Sequence, residues 1–568
     1  MPSDAATAVE LRVLDGPNLY FPRPAVKLTL AVPGWLRAAG PTVATAAERL
    51  GVVDDPGPAG SDHRRRVVAK IAAAWTKQIA AEASVTRLAV RARPGPGEGQ
   101  IVVAFPWRRR GAAEALARGV AAAMAGGPRR HPARVLAAAG ARLREAPPGA
   151  EPTVPEPEVP VVQVTGTNGK TSTVRLLAHL VQSAGKNVAF SSTDGVYRGE
   201  RRVKRGDYSG FAGAATALAN LPDVAVLETA RGGILLRGIG VQHNDVAVVT
   251  NVSADHLGLQ GINTVDQLAE VKAAVVRITR PQGWDVLNAD DPRVLAMRRT
   301  ATGRPWVYSL DPEHPAIRDT LAEGGRATTV VDGAIAWLDG GEVHRLARLV
   351  DVPVTLAGLS AVFTSNALAA TSAALAVGLP ERAVARGLRT FVPDPERNPG
   401  RANLFSLDRR TIVVDYAHNE AGIVGLTQIL RGLCRTDAEV WLAICTAGDR
   451  TDELLHGFAF RAAVGSDHLG VADLRHYTRG RTPASIYAAL AAAAADAGVL
   501  VVPRYRGELH ALRTMLDASR PGDVIGVTAL GMRPQLFRWL DAQGARRLGA
   551  ADVRRLVRAV PASRVAGR

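Results

Sequence analysis

Val161-Val162-Gln163-Val164-Thr165-Gly166-Thr167-Asn168-Gly169-Lys170-Thr171-Ser172 is the stretch on which the fold turns. An apolar, β-branched run enters a loop with two glycines. Lys-Thr follows, and apolar residues then recur at helical spacing from Val174 to Val181. Strand, glycine loop and helix in that order bring backbone N–H groups and a helix N-terminus to one point, which suits a phosphate. Lys170 would reach the β/γ-phosphates and the Thr171 hydroxyl would ligate magnesium. The strict pattern G-x-x-x-x-G-K-[ST] is not met, because Val164 occupies the first glycine's place. An ordinary strand–turn–helix with a surface lysine is the competing reading.

Outward from this loop, Val224–Leu227, Val246–Thr250 and Trp284–Leu287 are further continuous apolar runs bounded by turn residues, as in strands buried on both faces of a parallel sheet. A break falls at Pro393-Asp394-Pro395-Glu396-Arg397-Asn398-Pro399-Gly400. Beyond it Thr411–Val414, Val440–Ile444 and Val524–Val527 repeat the strand–helix alternation. Upstream, strand-like Leu11–Leu14, Val26–Val32 and Ile101–Phe105 mix with helical patterns at Val67–Ala83 and Ala112–Ala125. The fold class is therefore α/β: a small α+β N-terminal domain (1–150), a Pro-rich linker (151–160), a central P-loop parallel-sheet ATPase domain (161–397) and a C-terminal Rossmann-like α/β domain (398–568).

Of 568 residues, 47% are hydrophobic and 22% charged, which excludes a disordered chain. Two cysteines exclude a disulfide scaffold. Neither a secretory signal nor a membrane-length apolar run is visible, so a soluble, cytoplasmic protein with no membrane partner is expected. The formal charge is +17, and only seven of the 70 basic residues are lysine. The arginines are dispersed without aromatic interleaving, so the excess reads as compositional bias or as attraction for nucleotides and acidic peptides. No nucleic-acid partner is expected.

The loop variant Gly166-Thr167-Asn168-Gly169-Lys170-Thr171 resembles that of the Mur ligase family, which activates a carboxylate as an acyl phosphate and couples it to an amine. Several further stretches look like the Mur-like module of cyanophycin synthetase: Ser192–Gly195, Glu228–Leu235, Thr250–Leu257, Ala269–Lys272, Leu287–Asp291, Asn398–Phe405 and Asp415–Asn419. Asp15-Gly16-Pro17-Asn18-Leu19-Tyr20 looks like the start of that enzyme's N-terminal domain. The match is dense from 161 to about 450 and thin after 455. Cyanophycin synthetases carry an ATP-grasp domain between these parts, and here the proline linker leaves no room for one.

The resemblance implies an ATP- and Mg2+-dependent ligase joining a small amino acid to a carboxylate acceptor, such as a peptide or polymer. Gly166, Thr167, Asn168, Gly169, Lys170, Thr171 and Ser172 would cradle ATP. Thr171 and Glu228, the latter ending a buried-type strand, would hold one magnesium. His256, with Asp255 orienting it, and Lys272 would serve a second. Lys272 lies on a helix expected over 265–278 and by resemblance is carbamylated, which arginine could not be. Asn366 would meet the adenine or phosphates, or else cap a helix. Arg401 would bring a guanidinium to the phosphates, and Asp415 would accept from the ribose. His418 and Asn419 would face the acyl phosphate or the amine, or His418 would cap a turn. Asp449 and Asp452 could pair with a guanidinium of the incoming amino acid, or be solvated. Domain closure would hinge near Pro393–Arg401. The catalytic set is thus Lys170, Glu228, His256, Lys272, Arg401 and His418. A non-catalytic ATP-binding protein that holds an acidic polymer is the alternative, and homo-oligomerisation stays open.

Overall fold

The computed structural model describes residues 5–474 and 477–559. Three sheets organise it. The strand Val161–Thr165 sits in an eleven-stranded sheet whose order is Glu342–Arg348, Ala334–Asp339, Arg326–Val331, Arg304–Tyr308, Thr279–Asn288, Asn244–Val249, Val161–Thr165, Val224–Glu228, Val188–Ser192, Gly195–Arg198, Arg201–Arg205. The strands from Arg326–Val331 across to Val188–Ser192 run parallel, and antiparallel hairpins extend both ends. Val161–Thr165 is buried on both faces, as its apolar run requires. Val162 and Val164 pack against the helices Lys170–Ser183, Ala361–Ala376 and Glu381–Thr390, whereas Val161 joins the opposite core. After Val161–Thr165 the chain crosses to one side of the sheet, and later returns on the other as Asn244–Val249. The carboxyl ends at such a reversal splay apart and leave a crevice for ligands.

The residues near the N-terminus form a four-stranded antiparallel sheet, Thr7–Leu14, Ala25–Ala31, Gln100–Pro106 and Arg91–Pro94 in spatial order. Helices Asp62–Glu82 and Arg110–Ala125 cover one of its faces, and Pro132–Glu145 packs on those two helices. Its other face joins the central core through Leu14, Ala25, Val102 and Ala104. The Asp15–Tyr20 motif makes this joint. Asp15 N and Gly16 N donate to Arg237 O, Ile239 N donates to Pro17 O at 2.6 Å, and Arg237 pairs with Asp15. Asn18 closes the turn by accepting from Tyr20 N and Phe21 N. A cleft of about 630 Å3 remains between this sheet and the segment Gln260–Gln267.

The third sheet has seven strands. Arg410–Asp415, Val524–Thr528, Val440–Ile444, His468–Ala472 and Arg504–Tyr505 are parallel, and Asn403–Leu407 runs antiparallel beside Arg410–Asp415. One expectation fails locally. The helix expected over 265–278 ends at Lys272, and Val276–Ile278 is a separate 3-10 turn. Past Lys272 the bonding tightens to i→i−3, with Ala274 N donating to Val271 O and Val275 N to Lys272 O. No helix among the described residues is long and apolar enough to cross a membrane.

Gly16 is required by contact. A Cβ there would lie 1.8 Å from the Ile239 carbonyl oxygen. Gly16→Ala is expected to cost about 1–3 kcal/mol and to loosen the joint. A lower melting temperature and faster proteolysis between 147 and 160 would register it.

Candidate active site

Parallel pairing of Val249 with Thr165 sets the ends of their two strands side by side. The segments that follow therefore meet. Asn251 accepts from Thr167 N on its carbonyl and from Asn168 N on its Oδ1, both at 2.9 Å. Thr250 Oγ1 donates to Asn168 O at 2.6 Å. Two of the loop's N–H groups are thus spent on shaping the loop rather than left outward. Gly169, at φ +87°, caps the helix Lys170–Ser183, whose first-turn N–H groups have no intrahelical acceptor. A Cβ on Gly169 would fall 2.1 Å from Asn366 Oδ1, so the loop passes flush against that side chain. Asn366 lies inside the helix Ala361–Ala376, which Ser360 caps, so the helix-cap alternative for Asn366 is discarded.

Lys170 Nζ curls back to Gly166 O (3.1 Å) and Thr167 O (2.8 Å). Ser172 is buried behind the loop, within 3.4 Å of Asn398 Nδ2. Glu228, 2% exposed, accepts from Thr171 Oγ1 at 2.9 Å through Oε2, while its Oε1 has no hydrogen-bond partner among the described residues. Burial pushes the Glu228 carboxyl up and the Lys170 ammonium down, each partly offset by the other's charge. Lys272 is also buried, and its Nζ donates to Gly166 O at 2.6 Å. Burial, reinforced by the Lys170 charge, holds that amine well below the usual lysine range. Lys272 is thus set beneath the phosphate loop.

His256 goes elsewhere. At φ +51° its ring stands near Asp255 (3.8 Å) and Asp449 (3.4 Å). His418 Nε2 lies 3.6 Å from Asp255, and ligand atoms of Asp255, His256 and His418 all fall within 4.8 Å of one another. Burial would raise the Asp255 carboxyl, but His418, His256 and Arg450 together hold it well below the usual range. His418 Nδ1 donates to Tyr416 O at 2.8 Å, and the helix that follows is capped by Asn419 instead. The Asp449 side chain is withdrawn from water and already paired, whereas Asp452 is solvated, as the second reading had it. Asp449 pairs with Arg450 and Arg479, and Asp452 pairs with Arg481.

The third sheet is closed over the central one. Asn168 and Asn419 exchange two amide hydrogen bonds, at 3.1 and 3.0 Å, and Arg450 reaches Asp255. Arg401 lies over the Tyr416 ring, 4.4 Å from its centroid. Asp415 accepts from Ala402 N and Ala417 N, one on each oxygen, so it holds the backbone beside Arg401 and the turn before His418. Sequence reasoning assigned no role to Asn251, Thr193, Asp194 or Arg533. Three of these lie in quoted motifs, but only their contacts reveal what they do.

Family models match over residues 164–374, as a Mur ligase middle domain, and 400–531, as a Mur ligase glutamate ligase domain. The chain belongs to the Mur ligase family. It is 44% identical over 265 residues to a cyanophycin synthetase from a Synechocystis species, covering 46% of this chain and 30% of that one. A UDP-N-acetylmuramoyl-L-alanyl-D-glutamate–2,6-diaminopimelate ligase from Corynebacterium efficiens is 28% identical, over 66% of this chain and 70% of its own. The chain thus spans about a third of the length of the cyanophycin synthetases it matches. In fold it is similar to a bifunctional folylpolyglutamate synthase/dihydrofolate synthase solved with Mn, AMPPNP and L-glutamate (TM-score 0.52, 18% identity, 68% of this chain and 91% of that one). It is likewise similar to E. coli FolC solved with DHPP and ADP (TM-score 0.51, 20% identity, 69% and 91%).

Glu228 pays a folding penalty when ionised. Its raised pKa means that stability is fullest below the unfolded value and is lost as pH rises through the folded one. Glu228→Gln is therefore expected to raise the melting temperature of the ligand-free protein by about 2 °C or more at pH 8, with the gap closing near pH 4. Scanning calorimetry at the two pH values checks this.

Proposed function

We propose that this protein is an ATP-dependent amide ligase that joins an amino acid to a carboxylate acceptor through an acyl phosphate. The observation that carries the reading is the orphaned, buried Glu228 oxygen beside the Thr171 hydroxyl, at the mouth of a glycine loop with two lysines beneath it. A desolvated carboxylate oxygen without a donor is costly in isolation and suits a hard cation. The donor set fits magnesium, which would neutralise phosphate charge when bound at Thr171 and Glu228. Gly166, Thr167, Asn168, Gly169 and Ser172 shape the cradle around the triphosphate. Lys170 would leave its two carbonyls for the β/γ-oxygens. Arg401 would face the transferring phosphoryl group across the lobe boundary, and Asn366 the underside of the loop.

In the reaction the acceptor carboxylate attacks the γ-phosphorus and ADP leaves. The amine then attacks the acyl carbon and inorganic phosphate leaves. His256 and His418, gathered on Asp255, would hold a second cation or take the proton of the attacking amine. Lys272 is proposed to carry a carbamate: a buried amine kept neutral can take up CO2, and the product is an anion. The cleft beside Gln260–Gln267 would give a peptide or polymeric acceptor a path toward His256. A cytoplasmic location, with ATP at hand, belongs to this proposal.

Phosphate release is expected only when ATP, an aspartate-containing acceptor and one of the twenty amino acids are all present, with a product mass to match. Lys170→Ala should lower the rate by about 10²-fold or more. Binding of ATP without turnover under every pairing would leave only the non-catalytic alternative. Lys272→Ala should abolish turnover, and millimolar formate or acetate should restore part of it. Failure of any short carboxylate to do so, in a folded variant, would remove the carbamate.

A further inference from the structure

Arg533 lies two residues beyond the span matched by the C-terminal family model. It nevertheless makes an ionic contact between the third lobe and the rim of the phosphate site. Its NH2 group reaches Asp194 Oδ1 at 2.9 Å, and its NH1 group donates to Pro399 O at 3.0 Å. Its guanidinium lies over the Tyr416 ring, 4.9 Å from the centroid, close to Arg401 on the same ring. Gly400 opens the slot it passes through: a Cβ there would lie 2.5 Å from Arg533 Cδ. The backbone just before it is fixed from behind. The buried Glu508 carboxylate accepts from Leu530 N, Gly531 N and Met532 N at 2.6–2.8 Å.

Asp194 is a node on the central side. Its second oxygen meets Arg175 of the phosphate-loop helix at 3.3 Å, and Arg175 also donates to Arg397 O in the segment between the second and third sheets. The neighbouring residue, Thr193, touches both proposed magnesium ligands: its hydroxyl is 3.3 Å from Thr171 Oγ1, and its N–H is 3.4 Å from Glu228 Oε2. A short covalent and hydrogen-bonded path thus runs from the Thr171–Glu228 pair through Thr193-Asp194 to Arg533, and through Arg175 to the hinge.

We propose that Arg533 is a positioning residue that clamps the third lobe shut and couples that closure to occupancy of the Thr171–Glu228 site. Its link to occupancy rests on the nucleotide reading above, whereas its role as a clamp does not. Closure driven by a metal–nucleotide would be stabilised through Asp194, and a broken clamp would weaken the response of the third lobe without altering the cradle.

Hydrogen exchange of the full chain, without nucleotide and with AMPPNP and Mg2+, tests this on Arg533→Ala, Arg533→Lys and Asp194→Asn. Arg538→Ala, an exposed arginine on the same helix, is the control. In Arg533→Ala without nucleotide, amides across 393–401 should exchange roughly tenfold faster or more, with circular dichroism unchanged. With nucleotide, protection should persist at 166–172 and be lost at 416–420. Where turnover is measurable, kcat should fall roughly tenfold with KM for ATP within about threefold, and Arg533→Lys should recover part of kcat. Unchanged exchange at 393–401, or an equal change in Arg538→Ala, overturns the clamp. No nucleotide-dependent protection in the unmodified protein would overturn the nucleotide reading, and the nucleotide-free comparison would still decide the clamp.

Discussion

The register of two parallel strands governs this molecule. With Val249 opposite Thr165, Thr250 and Asn251 emerge level with the glycine loop and grip it through the Thr167 and Asn168 N–H groups and the Asn168 carbonyl. A slip of one residue would turn Asn251 to the opposite face of the sheet and leave the loop without its braces. The cradle is consequently shaped by protein–protein hydrogen bonds before any ligand arrives. That lowers the ordering cost of binding.

Charge placement follows from this frame. Two lysines and two carboxylates are withdrawn from water around one loop, and burial works against the charged form of each. Asp255 is compensated by two histidines and an arginine, whereas Glu228 keeps one oxygen without a donor among the described residues. Such an imbalance is tolerated where a ligand supplies the missing charge, and a stability cost in the ligand-free protein is its usual companion. Asp449 shows the opposite arrangement: it is withdrawn from water and closed by Arg450 and Arg479.

Much of this was legible in the residues. The continuous apolar runs mark strands buried on both faces, and Val161–Thr165, Val224–Glu228 and Val440–Ile444 occupy those stretches. Lys170, Thr171 and Glu228 come together because each stands at a strand end or loop set by local pattern. Most of what was not legible depends on distance in sequence. Nothing near Asp194 announces that Arg533 will meet it 339 positions later. Lys272 could be placed on a helix, but the apolar pattern runs on to Ile278 and does not show the switch to i→i−3 bonding after Lys272. Asp449 looked available to a cationic substrate because its partner Arg479 comes from another turn.

The Asp15–Tyr20 joint bears on how the molecule can work. Backbone bonds on both sides of Gly16, with no space for even one methyl group, weld the small antiparallel sheet to the large one. The first two sheets are therefore bound to each other through main chain at this point. The cleft between the small sheet and Gln260–Gln267 lies next to this joint, so the same main-chain bonds fix where that cleft stands relative to the glycine loop.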